Sequence, residues 1–233
     1  PDHVAEICSK VHAAQRITAA EAEALLASED LTGIGSAAQA VRNRLHPRDV
    51  VTYAVDRNIN YSNVCVTYCD FCAFYRVKGD AEAYVLPRDV IFRKIEELVG
   101  EGGTHVLMQG GHHPDLRLEW YEDLLRVIRE RFPTIAAHSF SAPEVCHFAS
   151  MENLPVRTVL ARLKAAGLHS LPGGGAEILD DEVRKRISPL KCTTDQWLEV
   201  HRAAHEIGLR STCTMMFGVG ETAAHRMAHL ARQ

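Results

Sequence analysis

The chain has 233 residues, 46% of them apolar and 24% charged, which is enough to bury a sizeable core and too apolar for a disordered segment. Its formal net charge of -4 comes with no basic block, which argues against a nucleic-acid footprint or an anionic membrane surface and leaves a small molecule as the expected partner. No apolar run approaches the length of a membrane span, and the N-terminal stretch "PDHVAEICSK" lacks the charged-then-apolar layout of a signal peptide, so a cytoplasmic location is expected.

Taken in chain order, residues 1–48 read as a helical preface of two or three short helices, among them "TAAEAEALLAS" with Thr18 as its cap. "VVTYAVDRNINYSNV" then carries a strand near residue 59, and "PRDVIFRKIEELVGEGG" a helix that begins at Pro87 and stops at Gly102-Gly103. The strand "THVLMQGG" follows. The unit then recurs as helix "LEWYEDLLRVIRERF", strand "TIAAHSFS", helix "VRTVLARLKAAG", strand "LHSLPGGG", helix "TDQWLEVHRAAHEIG", strand "LRSTCTMMFG" and helix "ETAAHRMAHLARQ". Strands that alternate with helices predict an α/β fold with a parallel sheet and right-handed crossovers, open or closing into a (βα) barrel. A full eight-unit barrel takes about 250 residues. The expectation is therefore a barrel domain over 49–233 that stops after about five βα units. Four polar loops, "QGGHHPD", "HSFSAPE", "PGGGAE" and "FGVGET", all follow strand C-termini, the rim where such folds place ligands.

The loop after the first strand holds Cys65, Cys69 and Cys72 in the spacing CxxxCxxC. Seven cysteines, an odd number, in a chain of this type do not read as a disulfide framework; Cys8, Cys146, Cys192 and Cys213 read as buried small hydrophobes. Three readings of the cluster of three stand side by side. A structural zinc site needs a fourth ligand, usually from a second CxxC or HxxxH pair, and His112-His113 is adjacent rather than spaced. Chance clustering of thiols is the second. The third is a [4Fe-4S] cluster with three irons held by thiolates and one left open.

CxxxCxxC after the first strand of a βα array resembles the radical S-adenosylmethionine (radical SAM) enzymes, and Phe71 matches the aromatic often found before their third cysteine. Within that superfamily, "DRNINYSNVCVTYCDFCAFYR", "LMQGGHHPDL", "HSFSAPEV", "PGGGAEIL", "VRKRISPLKCT" and "TMMFGVGET" are similar to the cyclic dehypoxanthinyl futalosine synthase family of menaquinone biosynthesis. Aminofutalosine synthase and the radical SAM enzymes of deazaflavin synthesis share the cysteine motif and the glycine loops. The resemblance implies a TIM-barrel fold of the radical SAM type, a [4Fe-4S] cluster, S-adenosyl-L-methionine, and reduced flavodoxin or ferredoxin as electron donor. The reaction it implies is a radical cyclisation of dehypoxanthine futalosine, begun by hydrogen abstraction at the ribose. A related radical SAM reaction and a noncatalytic Fe-S-binding fragment remain as alternatives.

Residue roles combine the chemistry with this resemblance. Cys65, Cys69 and Cys72 are the expected cluster ligands. Gln109, Gly110 and Gly111 end the second strand, where glycine would let backbone carbonyls approach the methionyl ammonium; a plain turn is the alternative. Gly173, Gly174 and Gly175 with Glu177 would cradle S-adenosylmethionine, the carboxylate accepting from ribose hydroxyls, against an exposed capping Glu. His138 and Ser139, with Ser141, would bind substrate or move a proton, against a polar loop with no chemical part. Arg184 and Arg186 would hold a carboxylate, against a solvated helix face. Tyr68 and Tyr75 would shield the cluster or merely pack.

Overall fold

The computed structural model describes residues 2–47 and 50–233, so the domain boundary expected between 48 and 49 lies outside the described residues. Three helices come first, α1 (Asp2–His12), α2 (Ala19–Leu26) and α3 (Leu31–Leu45). They are followed by β1 (Asp56–Asn60), α4 (Arg88–Gly100), β2 (His105–Gln109), α5 (Leu118–Arg131), β3 (Ala136–Ser139), α6 (Ala142–Glu152), α7 (Val156–Ala166) and β4 (Leu168–Leu171). The remaining elements are α8 (Asp181–Ile187), α9 (Thr194–Glu206), β5 (Arg210–Ser211) and α10 (Ala223–Arg232). The strands form one parallel sheet in the order β1-β2-β3-β4-β5, as the βα alternation predicts. No described helix is long and apolar enough to cross a membrane.

Two helices depart from the expected pattern. The stretch "HSFSAPE" reads as rim loop, yet α6 begins within it because Ser141 and Glu144 make a reciprocal capping box and Pro143 sits in the first turn, where its missing N–H costs nothing. Asn153, in the left-handed conformation at φ 51°, ends it. The second, α8, is a short helix in the loop after β4. Pro87 precedes α4 rather than opening it. The last strand is shorter than expected: only Arg210 and Ser211 pair with β4, and the chain beyond them is held by single bonds such as Thr212 N–H to Leu171 O (3.1 Å).

The chain divides into two compact units. The first comprises the described residues of 1–53 with 178–180 and 217–233. Sequence puts 217–233 with the barrel, whereas here α10 packs on α2 and the His229 ring accepts from Leu179 N–H at 2.9 Å. Thr18 caps α2 as expected, and Lys10 reaches both carboxylate oxygens of Glu21 at 2.9 Å.

The second unit, 54–177 with 181–216, contains the sheet. Strand alternation gives it two unlike faces. Ile59, Val106, Met108, Ala137 and Leu171 are buried, as are Ile91 and Ile95 of α4, Leu124 and Ile128 of α5, Leu160 and Leu163 of α7, and Val200 of α9. The opposite face, with Asp56, Asn58, His105, Leu107 and His138, stays partly open. A barrel-type sheet keeps this inner face for filling side chains or a ligand.

On α9 the His201 ring lies 3.9 Å from the Trp197 ring, centroid to centroid, with only 6% of the residue exposed. Burial, helped by His205, lowers its pKa from 6.5 to about 4. The unfolded chain therefore takes up a proton that the folded chain refuses between these values. Stability from this residue is full above pH 6.5 and falls as the pH drops through the window, by up to about 3 kcal/mol. Urea unfolding at about pH 7 and about pH 4 is expected to show a smaller acid loss in His201→Gln than in the parent chain, and an equal loss would contradict this assignment.

Candidate metal and cofactor site

The loop that leaves β1 is pinned on every side before it presents its cysteines. Ser62 Oγ donates to Tyr84 O (2.8 Å), and the Asn63 amide donates to Glu82 O (2.9 Å) while accepting from Tyr84 N–H (2.8 Å). Within the loop, Cys65 N–H reaches Arg76 O at 3.1 Å and Arg76 N–H reaches Asn63 O at 2.8 Å. The β2 loop adds Gly111 N–H to Ser62 O (2.8 Å) and accepts Val66 N–H at His112 O (3.2 Å). From α8, the Ile187 carbonyl takes Asp70 N–H at 2.9 Å.

So held, Cys65, Cys69 and Cys72 are free thiols bordering one cavity of about 300 Å³, with Gln109, Gly110, Gly111, Gly174 and Gly175 on its other walls. This brings together all the expected cluster ligands and most of the expected cofactor cradle. Gly111 is there because backbone passes backbone: a Cβ on it would run into Val64 O and lie 2.8 Å from Cys65 Cβ, whereas one on Gly174 would meet the Gln109 side chain, 2.6 Å from its Nε2. Three thiols on a pinned loop facing an open, glycine-walled space fit a cluster that keeps one iron position free for a ligand. Burial pushes the Cys69 thiol up, with the neighbouring Cys65 and Cys72 adding to it and Lys191 opposing.

Other residues fall into place differently. Glu177, at φ 46°, does not border the cavity; its carboxylate is paired with Lys191 Nζ at 2.7 Å, both side chains nearly buried. Lys191 does border it, 5.3 Å from the Phe71 ring centroid. Arg184 stands 4.0 Å from the Asp181 carboxylate. It is 3% exposed and donates to the carbonyls of Gly175 (3.1 Å), Ala176 (2.6 Å) and Cys192 (3.1 Å), clamping the glycine loop from below, while Arg186 is exposed on α8. The Tyr68 and Tyr75 rings lie 5.6 Å apart, tilted by 60°; Tyr75 borders the cavity and Tyr68 does not.

His138 and Ser139 do not act as a pair, because adjacent strand residues point to opposite faces. His138 lies on the inner face, its Nδ1 2.7 Å from Ser170 Oγ, and borders a second cavity of about 290 Å³ with Asp56, His105, Leu107 and Arg210. Burial lowers its pKa, with His105 and His169 adding to the effect. Ser139 is fully buried on the helix side. Ser141, by contrast, reaches the cysteine cavity. A larger cavity of about 780 Å³ lies among α6, α7 and α9, and no cysteine of the motif borders it.

Glu144 is the residue that the rim reading passes over. Its carboxylate is 2% exposed and takes four donors: Tyr61 O–H (2.6 Å) and Gly110 N–H (3.1 Å) on Oε1, Ser141 N–H (2.8 Å) and Ser141 O–H (2.6 Å) on Oε2. Burial raises its pKa against the pull of these bonds, and raises that of Tyr61. The only local signal for it is the capping pattern Ser-x-x-Glu. His112 was also unassigned; Thr67 Oγ1 meets its Nδ1 at 2.9 Å, and burial first, then His147 and Lys191, takes its pKa down to about 3.

Removing the Glu144 carboxylate strands several buried donors, each costing about 1–3 kcal/mol. Glu144→Ala is expected to lose about 3 kcal/mol or more in urea unfolding and Tyr61→Phe about 1 kcal/mol. The double variant is expected to lose less than the sum, since the two share one bond. Strict additivity would show that the bond contributes nothing.

Comparison with solved structures shows the fold: methylornithine synthase (PylB) superposes with a TM-score of 0.71 at 19% identity, over 97% of this chain and 63% of that one. Cyclic dehypoxanthine futalosine synthase of Halalkalibacterium halodurans is 46% identical over 94% of this chain and 59% of its own length, and that of Streptomyces coelicolor is 44% identical over 96% and 57%. FO synthase of Mycobacterium leprae is 43% identical over 78% of this chain and 21% of its own. The chain thus spans between half and two thirds of the futalosine relatives it matches. The sequence model of the radical SAM superfamily matches residues 59–232, from the end of β1 through α10 and so across the cysteine loop and the glycine rim, and the chain belongs to that superfamily of enzymes.

Proposed function

We propose that this chain carries the cluster and cofactor site of a radical SAM cyclase that converts dehypoxanthine futalosine to its cyclic product in menaquinone biosynthesis. One observation carries the radical SAM part: three free thiols on a pinned loop share a cavity with the ends of β2 and β4. The cyclase part is supported by the futalosine synthases, which are 46% and 44% identical to the chain over 94% and 96% of it.

In this reading Cys65, Cys69 and Cys72 hold a [4Fe-4S] cluster, and Gln109, Gly110, Gly111, Gly174 and Gly175 bound the space for S-adenosylmethionine. The cluster and S-adenosylmethionine, when bound, supply a carbon-centred radical by one-electron reduction. The chain's own contribution is position. The rigid loop sets the thiolates, and the glycine walls let a ligand lie against backbone. Glu177, set back from the cavity and paired with Lys191, would accept from ribose hydroxyls only after Lys191 yields its carboxylate. The inner face carrying His138 holds the substrate, and ordering its two rings against each other lowers the entropic part of the barrier. An electron from reduced flavodoxin or ferredoxin is part of the proposal.

Anaerobic reconstitution is expected to load about four irons per chain. Cys65→Ala, Cys69→Ala and Cys72→Ala are each expected to lose them, while Cys8→Ala and Cys213→Ala keep them. Full loading in the triple variant would remove the cluster assignment.

For the reaction, the reconstituted protein is supplied with S-adenosylmethionine, a reductant and, separately, dehypoxanthine futalosine and the substrates of aminofutalosine synthase and FO synthase. Mass-spectrometric detection of the cyclised product from the first alone is expected. Turnover of another member of the panel instead would replace the cyclase reading, and 5′-deoxyadenosine without any product would restrict the chain to cofactor cleavage.

A further inference from the structure

Two of the cysteines outside the motif are placed together by elements far apart in sequence. Cys146 sits in the second turn of α6, and Cys192 in the loop just before the Thr193 cap of α9. Both residues line the same small cavity, and Arg184 Nη2 approaches Cys192 Sγ at 3.8 Å while its Nε grips the Cys192 carbonyl at 3.1 Å. Both are half-buried, and the cavity, of about 240 Å³, is bordered also by Thr67, His112, His147 and Lys191 and lets a small reagent reach them. Cys8 is buried and Cys213 exposed, and neither borders that cavity.

We propose that Cys146 and Cys192 are a reversible dithiol-disulfide pair, oxidised by exchange with a low-molecular-weight disulfide. Cys192 is the attacking sulfur. Neighbouring Cys146 and the guanidinium of Arg184 draw its pKa below the ordinary thiol value, while Cys192 and burial push Cys146 up. The Cys192 thiolate attacks one sulfur of the small disulfide, forming a mixed disulfide and expelling a thiolate that takes up a proton. Cys146 then loses its proton and attacks the Cys192 sulfur, releasing the second small thiol. Two protein thiols are oxidised by two electrons in all, and the small disulfide is reduced to two thiols. The new bond would tie α6, which supplies Pro143 and Glu144 to the motif cavity, to the loop that supplies Lys191.

The test is incubation of the full chain in mixtures of reduced and oxidised glutathione, followed by iodoacetamide, trypsin and peptide mass mapping. A linked pair joining 132–157 to 192–202, lighter by two hydrogens and lost on reduction, is the expected product. It is expected to vanish in Cys146→Ser and in Cys192→Ser. Glutathione is expected to accumulate on Cys192 in the first variant and to be at least several-fold scarcer on Cys146 in the second. Alkylated Cys146 and Cys192 in the most oxidising mixture, or Cys192 linked to a motif cysteine instead, would overturn the pairing. Equal glutathione on the two single thiols would overturn the order of attack.

Discussion

A carboxylate buried with four donors around it is the junction on which the motif cavity depends. Glu144 receives Tyr61 from the end of β1, Gly110 from the end of β2 and Ser141 from the start of α6, so three segments that meet nowhere else in sequence share one pair of oxygens. Such a buried group is costly when half satisfied and confers order when fully satisfied. Here every neighbour is a donor. The cysteine loop starts from Tyr61 and the glycine turn from Gly110, so the distance between thiol wall and glycine wall is set before any ligand arrives.

The second constraint is strand parity. Residues 105, 107, 136 and 138 share the inner face, and their neighbours 106, 108, 137 and 139 enter the helix layer. A group for substrate chemistry must have inner parity, which His138 has and Ser139 lacks. The motif cavity lies at the C-terminal ends of the strands, near Asn60 and Gln109, and the His138 cavity further back along the same face. A bound cofactor and a substrate beside it would then lie along one surface of one sheet.

The fold was legible because βα punctuation is local: β2, β3 and β4 are short runs, at least half apolar, closed within a few residues by Gly, Ser or Pro, and each of the long helices has its cap or breaker within a few residues. The cysteine motif was legible for the same reason, since all three ligands come from one loop. The missing parts are those made by distant segments. Lys191 meets Glu177 across α8, Arg184 threads its guanidinium under a glycine loop, and Cys146 shares a cavity with Cys192 across 46 residues. Nothing in the local spelling of those residues marks them. Glu144 is intermediate: Ser-x-x-Glu announces a helix start, but its role between two strand ends appears only once the strands are side by side. The packing of α10 is also of this kind: its sequence looks like another barrel helix, and its contact with α2 joins residues far apart in the chain.

The central claim is that the Glu144 junction builds the cavity in the metal-free chain. Amide hydrogen exchange at Gly110, Ser141 and Cys65, followed residue by residue without iron, tests it most directly. The account predicts slow exchange at all three in the parent chain, and faster exchange at Gly110 and Ser141, spreading to Cys65, in Glu144→Gln. Fast exchange at these amides in the parent chain, or protection unchanged by the substitution, would show that the cavity is not built by this carboxylate.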